Sequence, residues 1–79
     1  MFRTLVKSEA LRVQDQTFDV RYFEVRTLRG LRRFSAEIVI GPDDRIILDD
    51  DSVNYLEARV GRLVPATLAS RRLAKTTAA

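Results

Sequence analysis

Residues 17–40 read TFDVRYFEVRTLRGLRRFSAEIVI, and their pattern decides the fold. Thr17–Leu28 and Leu31–Ile40 are rich in Val, Ile, Phe, Tyr and Thr, residues that suit a pleated, half-buried surface. Between them, Arg29-Gly30 offers the glycine that a tight hairpin turn needs at positive φ. A two-residue loop there sets Val25 opposite Phe34 and Phe23 opposite Ala36. The second strand alternates cleanly, with Phe34, Ala36, Ile38 and Ile40 on one face and Arg33, Ser35, Glu37 and Val39 on the other. The first does not hold one phase: Phe23 and Val25 match the apolar face, but Phe18, Val20 and Tyr22 are out of step by one. A one-residue slip turns every side chain over, so the expected remedy is a β-bulge near Arg21-Tyr22. The alternative is a strand apolar on both faces, with something packed on each.

Downstream, Gly41-Pro42-Asp43-Asp44 reads as a turn, since Pro presets φ and Asp bonds its own backbone. Arg45-Ile46-Ile47-Leu48 follows as a further strand. Asp49-Asp50-Asp51-Ser52 then opens a helix, where short polar side chains cap free N–H groups and acids suit the positive end of the dipole. Val53, Leu56, Val60, Leu63 and Val64 recur at helical spacing as one apolar stripe. Gly61 weakens this helix, and Pro65 is expected to break or kink it, leaving a second segment over residues 66–74. Residues 75–79 are expected as a disordered tail. Upstream, residues 1–16 carry both patterns: Phe2, Leu5, Val6, Glu9 and Val13 at helical steps, and Leu11 and Val13 in alternation ahead of a turn at Gln14-Asp15-Gln16. A strand added to the sheet is the expected form.

With 79 residues there is room for one domain, here residues 1–74, and one modest core. A composition 46% hydrophobic and 32% charged is that of a folded chain. There is no Cys and no His, which excludes disulfides and thiolate metal sites and removes the commonest zinc ligand and neutral-pH base. A domain this small draws stability from disulfides, metals or partners, so a second protein chain is the remaining source. No apolar run approaches the ~20 residues that span a bilayer, and Met1–Lys7 is too short and polar for a secretory signal. The expected setting is cytoplasmic, without membrane partners.

Charge is segregated. Residues 42–58 hold six of the eleven acidic side chains and one basic one, Arg45, whereas residues 59–79 hold five basic and no acidic ones. With the basic stretch before them, the order is basic, acidic, basic. That favours complementarity within one molecule or between two. Twelve of the fourteen basic residues are Arg, which suits bidentate anion recognition and equally the codon usage of a GC-rich genome.

Three constellations bear on function. Asp43, Asp44, Asp49, Asp50 and Asp51 offer hard-cation ligands, but they lack calcium-loop spacing, and a turn plus a helix cap accounts for all of them. No metal or cofactor is expected, nor any catalytic residue. The second is the hairpin end, where Arg26, Arg29, Arg32 and Arg33 form a candidate anion or nucleic-acid contact. There Arg26 and Arg33 directly opposed would repel, a conflict that an anionic partner relieves. Tyr22 on the outer face could stack a base. The third is a basic amphipathic segment around Leu68, Arg71, Arg72, Lys75 and Leu73.

The sequence therefore predicts an α+β fold: a three- to four-stranded antiparallel meander packed by a C-terminal helix. One helix about 10 Å wide covers one sheet face. Apolar residues on the second face (Tyr22, Val39 and Ile47, with Leu68 and Leu73 on the helix) are the expected interface. The function expected is a non-enzymatic protein-interaction module forming a homodimer. The alternatives are a nucleic-acid binder using the basic hairpin and, last, a metal-dependent enzyme.

Overall fold

A computed structural model describes the backbone of residues 2–77 and the side chains of residues 3–73. Four strands, β1 (Phe2–Val13), β2 (Gln16–Arg26), β3 (Arg32–Gly41) and β4 (Asp44–Asp50), precede one helix, α1 (Val53–Thr77). The strands form a single antiparallel sheet in the order β1-β2-β3-β4. This is the expected α+β meander, with the N-terminal segment as its first strand. Short connections explain the order, since antiparallel neighbours need only tight turns. The β1–β2 turn is Gln14-Asp15, with Gln14 in the left-handed region at φ 56°. The β3–β4 turn is Pro42-Asp43, closed by the Gly41–Asp44 pair.

The central hairpin departs from expectation in its loop and register. β2 ends at Arg26 and β3 starts at Arg32, so the loop is Thr27–Leu31, five residues in place of two. Two bonds close it: the Thr27 N–H donates to the Leu31 carbonyl at 3.0 Å, and the Gly30 N–H to the Thr27 carbonyl at 2.9 Å. Gly30 sits at φ 80°, the conformation for which glycine is the least costly residue. The longer loop shifts the pairing by one residue: Val25 opposes Arg33, Phe23 opposes Ser35, and Tyr22 opposes Ala36.

That shift removes the need for a bulge at Arg21-Tyr22, and the β2–β3 register runs unbroken from Val20 to Arg26. The irregularity lies instead in β1, between Leu5 and Lys7, with a second in β3 between Val39 and Gly41. β2 thus keeps one phase and is apolar on both faces. Phe18, Val20 and Tyr22 enter the core, while Phe23 and Val25 lie on the opposite face, half-buried, and not in the core where they were expected.

α1 covers the first face. Leu56, Val60, Val64 and Leu68, four residues apart, are buried against Phe18, Val20, Tyr22, Ala36, Ile38 and Ile46. Helical side chains at i and i+4 share a face, so these four form one continuous ridge. α1 is unbroken through Pro65, contrary to the expected break. Two reasons are visible. The residues on either side of Pro65, Val64 and Leu68, both reach the core only if the helix continues. The carbonyl that Pro65 cannot serve belongs to Gly61, four residues back, which is exposed to water. The start differs in detail as well. Asp49 and Asp50 end β4, and the first helical bond runs from the Leu56 N–H to the Ser52 carbonyl at 3.0 Å, placing Ser52 at the cap.

Two layers do not make a sphere. The radius of gyration is 14.1 Å, with extents of 47 × 22 × 21 Å, against about 12 Å for a compact chain of this length. Among the described residues, none is layered over the second face of the sheet.

Candidate interaction face

The bare face follows from the register. Residues paired across strands point the same way, so Leu5, Phe23 and Ser35 share this face, as do Arg21, Glu37 and Ile47. Val39 and Arg45, paired with each other, complete its lower half. Leu5, Val39 and Ile47 are 55%, 45% and 56% exposed. These three apolar side chains lie on the uncovered face of the sheet, around a polar centre.

Its centre is polar and tightly held. Glu37 is only 8% exposed, yet it points away from the core. The Arg3 guanidinium donates to Glu37 Oε2 at 2.9 Å, and Arg45 lies 3.6 Å from the same oxygen. To reach it, Arg3 crosses β2 with its guanidinium 3.7 Å above the centre of the Phe23 ring, a cation–π contact. The bond from Arg3 holds the Glu37 carboxyl below the usual range against the opposing effect of desolvation, with Arg45 and Arg21 adding to the pull. Shallow open depressions flank this knot, one between Val25, Ser35 and Ile47, the other between Asp19, Arg21 and Val39.

The Glu37 knot makes a pH prediction. Its carboxyl has a lower pKa folded than unfolded, so its stabilisation is complete above the unfolded value and is lost as pH falls through the folded one. Thermal melts of the wild type and of Glu37→Gln are therefore expected to differ at neutral pH and to converge in acid. A gap that stayed constant down to the acid limit would show that the carboxylate charge contributes nothing.

The other expected sites are distributed as follows. Tyr22, placed by the sequence on the outer face, is 2% exposed and belongs to the core; burial pushes its hydroxyl pKa up. The one-residue register shift is the cause. Leu68 is buried on the sheet-facing side of α1, because the helix continues past Pro65. Neither is available to a partner. Val39 and Ile47 are exposed on the bare face, and Leu73 is exposed on α1. Arg26 faces Arg32 and not Arg33. Glu24 relieves that repulsion, 2.8 Å from Arg32 and 3.6 Å from Arg26, while Arg33 reaches Asp51 at 2.5 Å.

The acidic segment meets the basic ones within the molecule. Arg59 donates to the Asp49 carbonyl at 2.7 Å and to Asp50 Oδ2 at 3.2 Å, and Arg71 pairs with Asp44 at 2.5 Å. Among the described residues, no three acidic side chains converge as metal ligands would. Lys7 bridges β1 to α1 through Glu57 and also pairs with Glu9 on its own strand, and both carboxylates raise its pKa.

Leu5, Phe23 and Val25 are the face residues that sequence reasoning missed. The signal was present, since apolar residues at both even and odd positions of β2 are what a strand buried on two sides shows. No family model, curated protein or solved structure matches the chain.

Proposed function

We propose that this protein is a non-enzymatic interaction module that docks, first of all on a second copy of itself, through the bare face of its sheet. One observation carries the reading. The sheet is apolar on two faces, and α1 covers one of them. Leu5, Val39 and Ile47 remain in water on the other, around half-buried Phe23 and Val25. Sheets stack face to face about 10 Å apart with interdigitated side chains, so a second copy would supply the missing layer.

The area suits a weak assembly. Four strands about 4.8 Å apart and roughly 30 Å long offer about 600 Å² per copy, which places a pair near the lower limit for specific interfaces. Charge does not oppose it. Arg3 and Arg45 are committed to Glu37 and Arg33 to Asp51, leaving Arg21, Asp19 and Asp49 as an interspersed set of both signs. Mixed signs favour register over repulsion.

The test is a face-specific double substitution, Val39→Asp with Ile47→Asp. Both residues are exposed, so folding is expected to survive. Sedimentation equilibrium in the micromolar range is expected to show a reversible dimer for the wild type and a monomer for the variant. A wild type that stays monomeric, and whose exchange-protected amides match those of the double variant in the presence of host proteins, would leave the face without a partner.

A further inference from the structure

The β2–β3 loop carries a second surface, built from different residues. It is a closed tip, not a slack connection: besides its two backbone bonds, Thr27 Oγ1 accepts from the Leu31 N–H at 3.2 Å. The tip projects past the last β1–β2 pair, Phe2 with Arg26. On it Leu28 is 95% exposed and Leu31 62%. The fold gains nothing from holding a leucine there.

Arg26, Arg29, Arg32 and Arg33 flank these leucines in the sequence. Arg26 and Arg32 share one carboxylate, Glu24, so the tip keeps surplus positive charge, to which Arg29 adds. Asp50 and Asp51, at the same end of the sheet, are already engaged by Arg59 and Arg33. Exposed ion pairs of this kind are weak and exchange readily for another anion.

We infer that this tip docks on an anionic lipid surface, with Leu28 and Leu31 entering between headgroups and Arg26, Arg29 and Arg32 contacting phosphate and carboxylate. The combination selects this partner. Nucleic acid rewards the arginines but takes up a leucine only by unstacking bases. A protein would need a pocket shaped to a convex tip. A bilayer interface places negative charge directly above hydrocarbon and accepts a wedge of any outline. Two leucines and a few arginines are each marginal alone, and together they give weak, reversible attachment. No helix among the described residues is long and apolar enough to cross a membrane; attachment to a surface is a different property. Such attachment differs from the sequence expectation of no membrane partner and does not depend on the bare-face reading.

The chain has no Trp, so Leu28→Trp introduces a single reporter at the tip. The full-length protein is to be mixed with vesicles of equal parts phosphatidylserine and phosphatidylcholine, or of phosphatidylcholine alone. With anionic vesicles, the tryptophan emission is expected to shift to the blue and the wild type to co-sediment. Leu28→Asp should weaken co-sedimentation about tenfold or more, Arg29→Glu several-fold, and Val39→Asp with Ile47→Asp not at all. Salt should also weaken it, as the charges are screened. Three outcomes would overturn the inference: no co-sedimentation with anionic vesicles, co-sedimentation indifferent to Leu28→Asp, or leucine-dependent retention on DNA at the same salt without retention on vesicles.

Discussion

Tyr22→Ala is expected to remove a large part of the domain's stability, whereas Phe23→Ala, one position along the same strand, is expected to remove little. Tyr22 is 2% exposed, under α1 and opposite Ala36. Truncating a buried aromatic side chain removes its transfer free energy and opens a cavity, together about 3–5 kcal/mol. The whole stability of a domain of this length is of order 4–12 kcal/mol. At roughly 4–8 °C per kcal/mol for a small domain, the melting temperature should fall by about 12–40 °C. Phe23 is half-buried on the other face beneath the Arg3 guanidinium, and its loss should cost about 1 kcal/mol, with self-association weakened as well. Parallel urea and thermal unfolding of the two variants check this. The pairing first read from the sequence requires the opposite ranking, so equal or inverted losses would mean that the register described above is wrong.

The second large effect runs in the stabilising direction. Gly61→Ala combined with Pro65→Ala is expected to stabilise the protein by about 2–3 kcal/mol and raise its melting temperature by roughly 10–20 °C. Pro in a helix interior costs about 3 kcal/mol and Gly about 1 kcal/mol relative to Ala. Both residues lie inside α1, and a Cβ added at Gly61 meets no heavy atom within 4 Å. The substitution gives position 65 an N–H that can donate to the carbonyl at 61, and it relieves the ring's crowding of that carbonyl. Part of the gain is offset because the Pro65 ring is half-buried and Ala covers less surface. Urea titrations of both single variants and the double variant would show how the effect divides. A double variant less stable than the wild type would mean that the proline's packing outweighs its backbone cost.

These two predictions probe the places where local reading and tertiary structure diverge. At the β2–β3 connection, Arg29-Gly30 satisfies the rule for a two-residue turn, and nothing local argues against it. What overrules it is Thr27, whose backbone and hydroxyl close a wider loop, and the register that brings Tyr22 over Ala36 and under α1. At Pro65, the local rule predicts a break. The burial of Leu68 and the exposed position of Gly61 let the helix run on.

The functional surfaces were legible to different degrees. Val39 and Ile47 could be placed on the outer face because each lies between two core-facing residues of its own strand, Ile38 and Ile40 in β3 and Ile46 and Leu48 in β4. Tyr22, Phe23 and Val25 could not, since assigning them requires knowing the register to within one residue. The charge blocks announced that opposite signs would meet. Only the chain's folding back on itself showed that Arg59 and Arg71 take the acids of β4 and its turn, leaving little charge to draw two copies together.

By itself the sequence determined the fold class and the order of its clearest elements, an antiparallel meander of three or four strands followed by a helix, and the apolar stripe at residues 56, 60 and 64. Side-chain periodicity is a property of the backbone and needs no partner to be read. The tertiary structure alone decided which face of β2 is core, where the hairpin turns, and whether the helix survives its proline. Each of those choices weighs a local preference worth about 1–3 kcal/mol against apolar burial of similar size per side chain, and that balance exists only once sheet and helix have met.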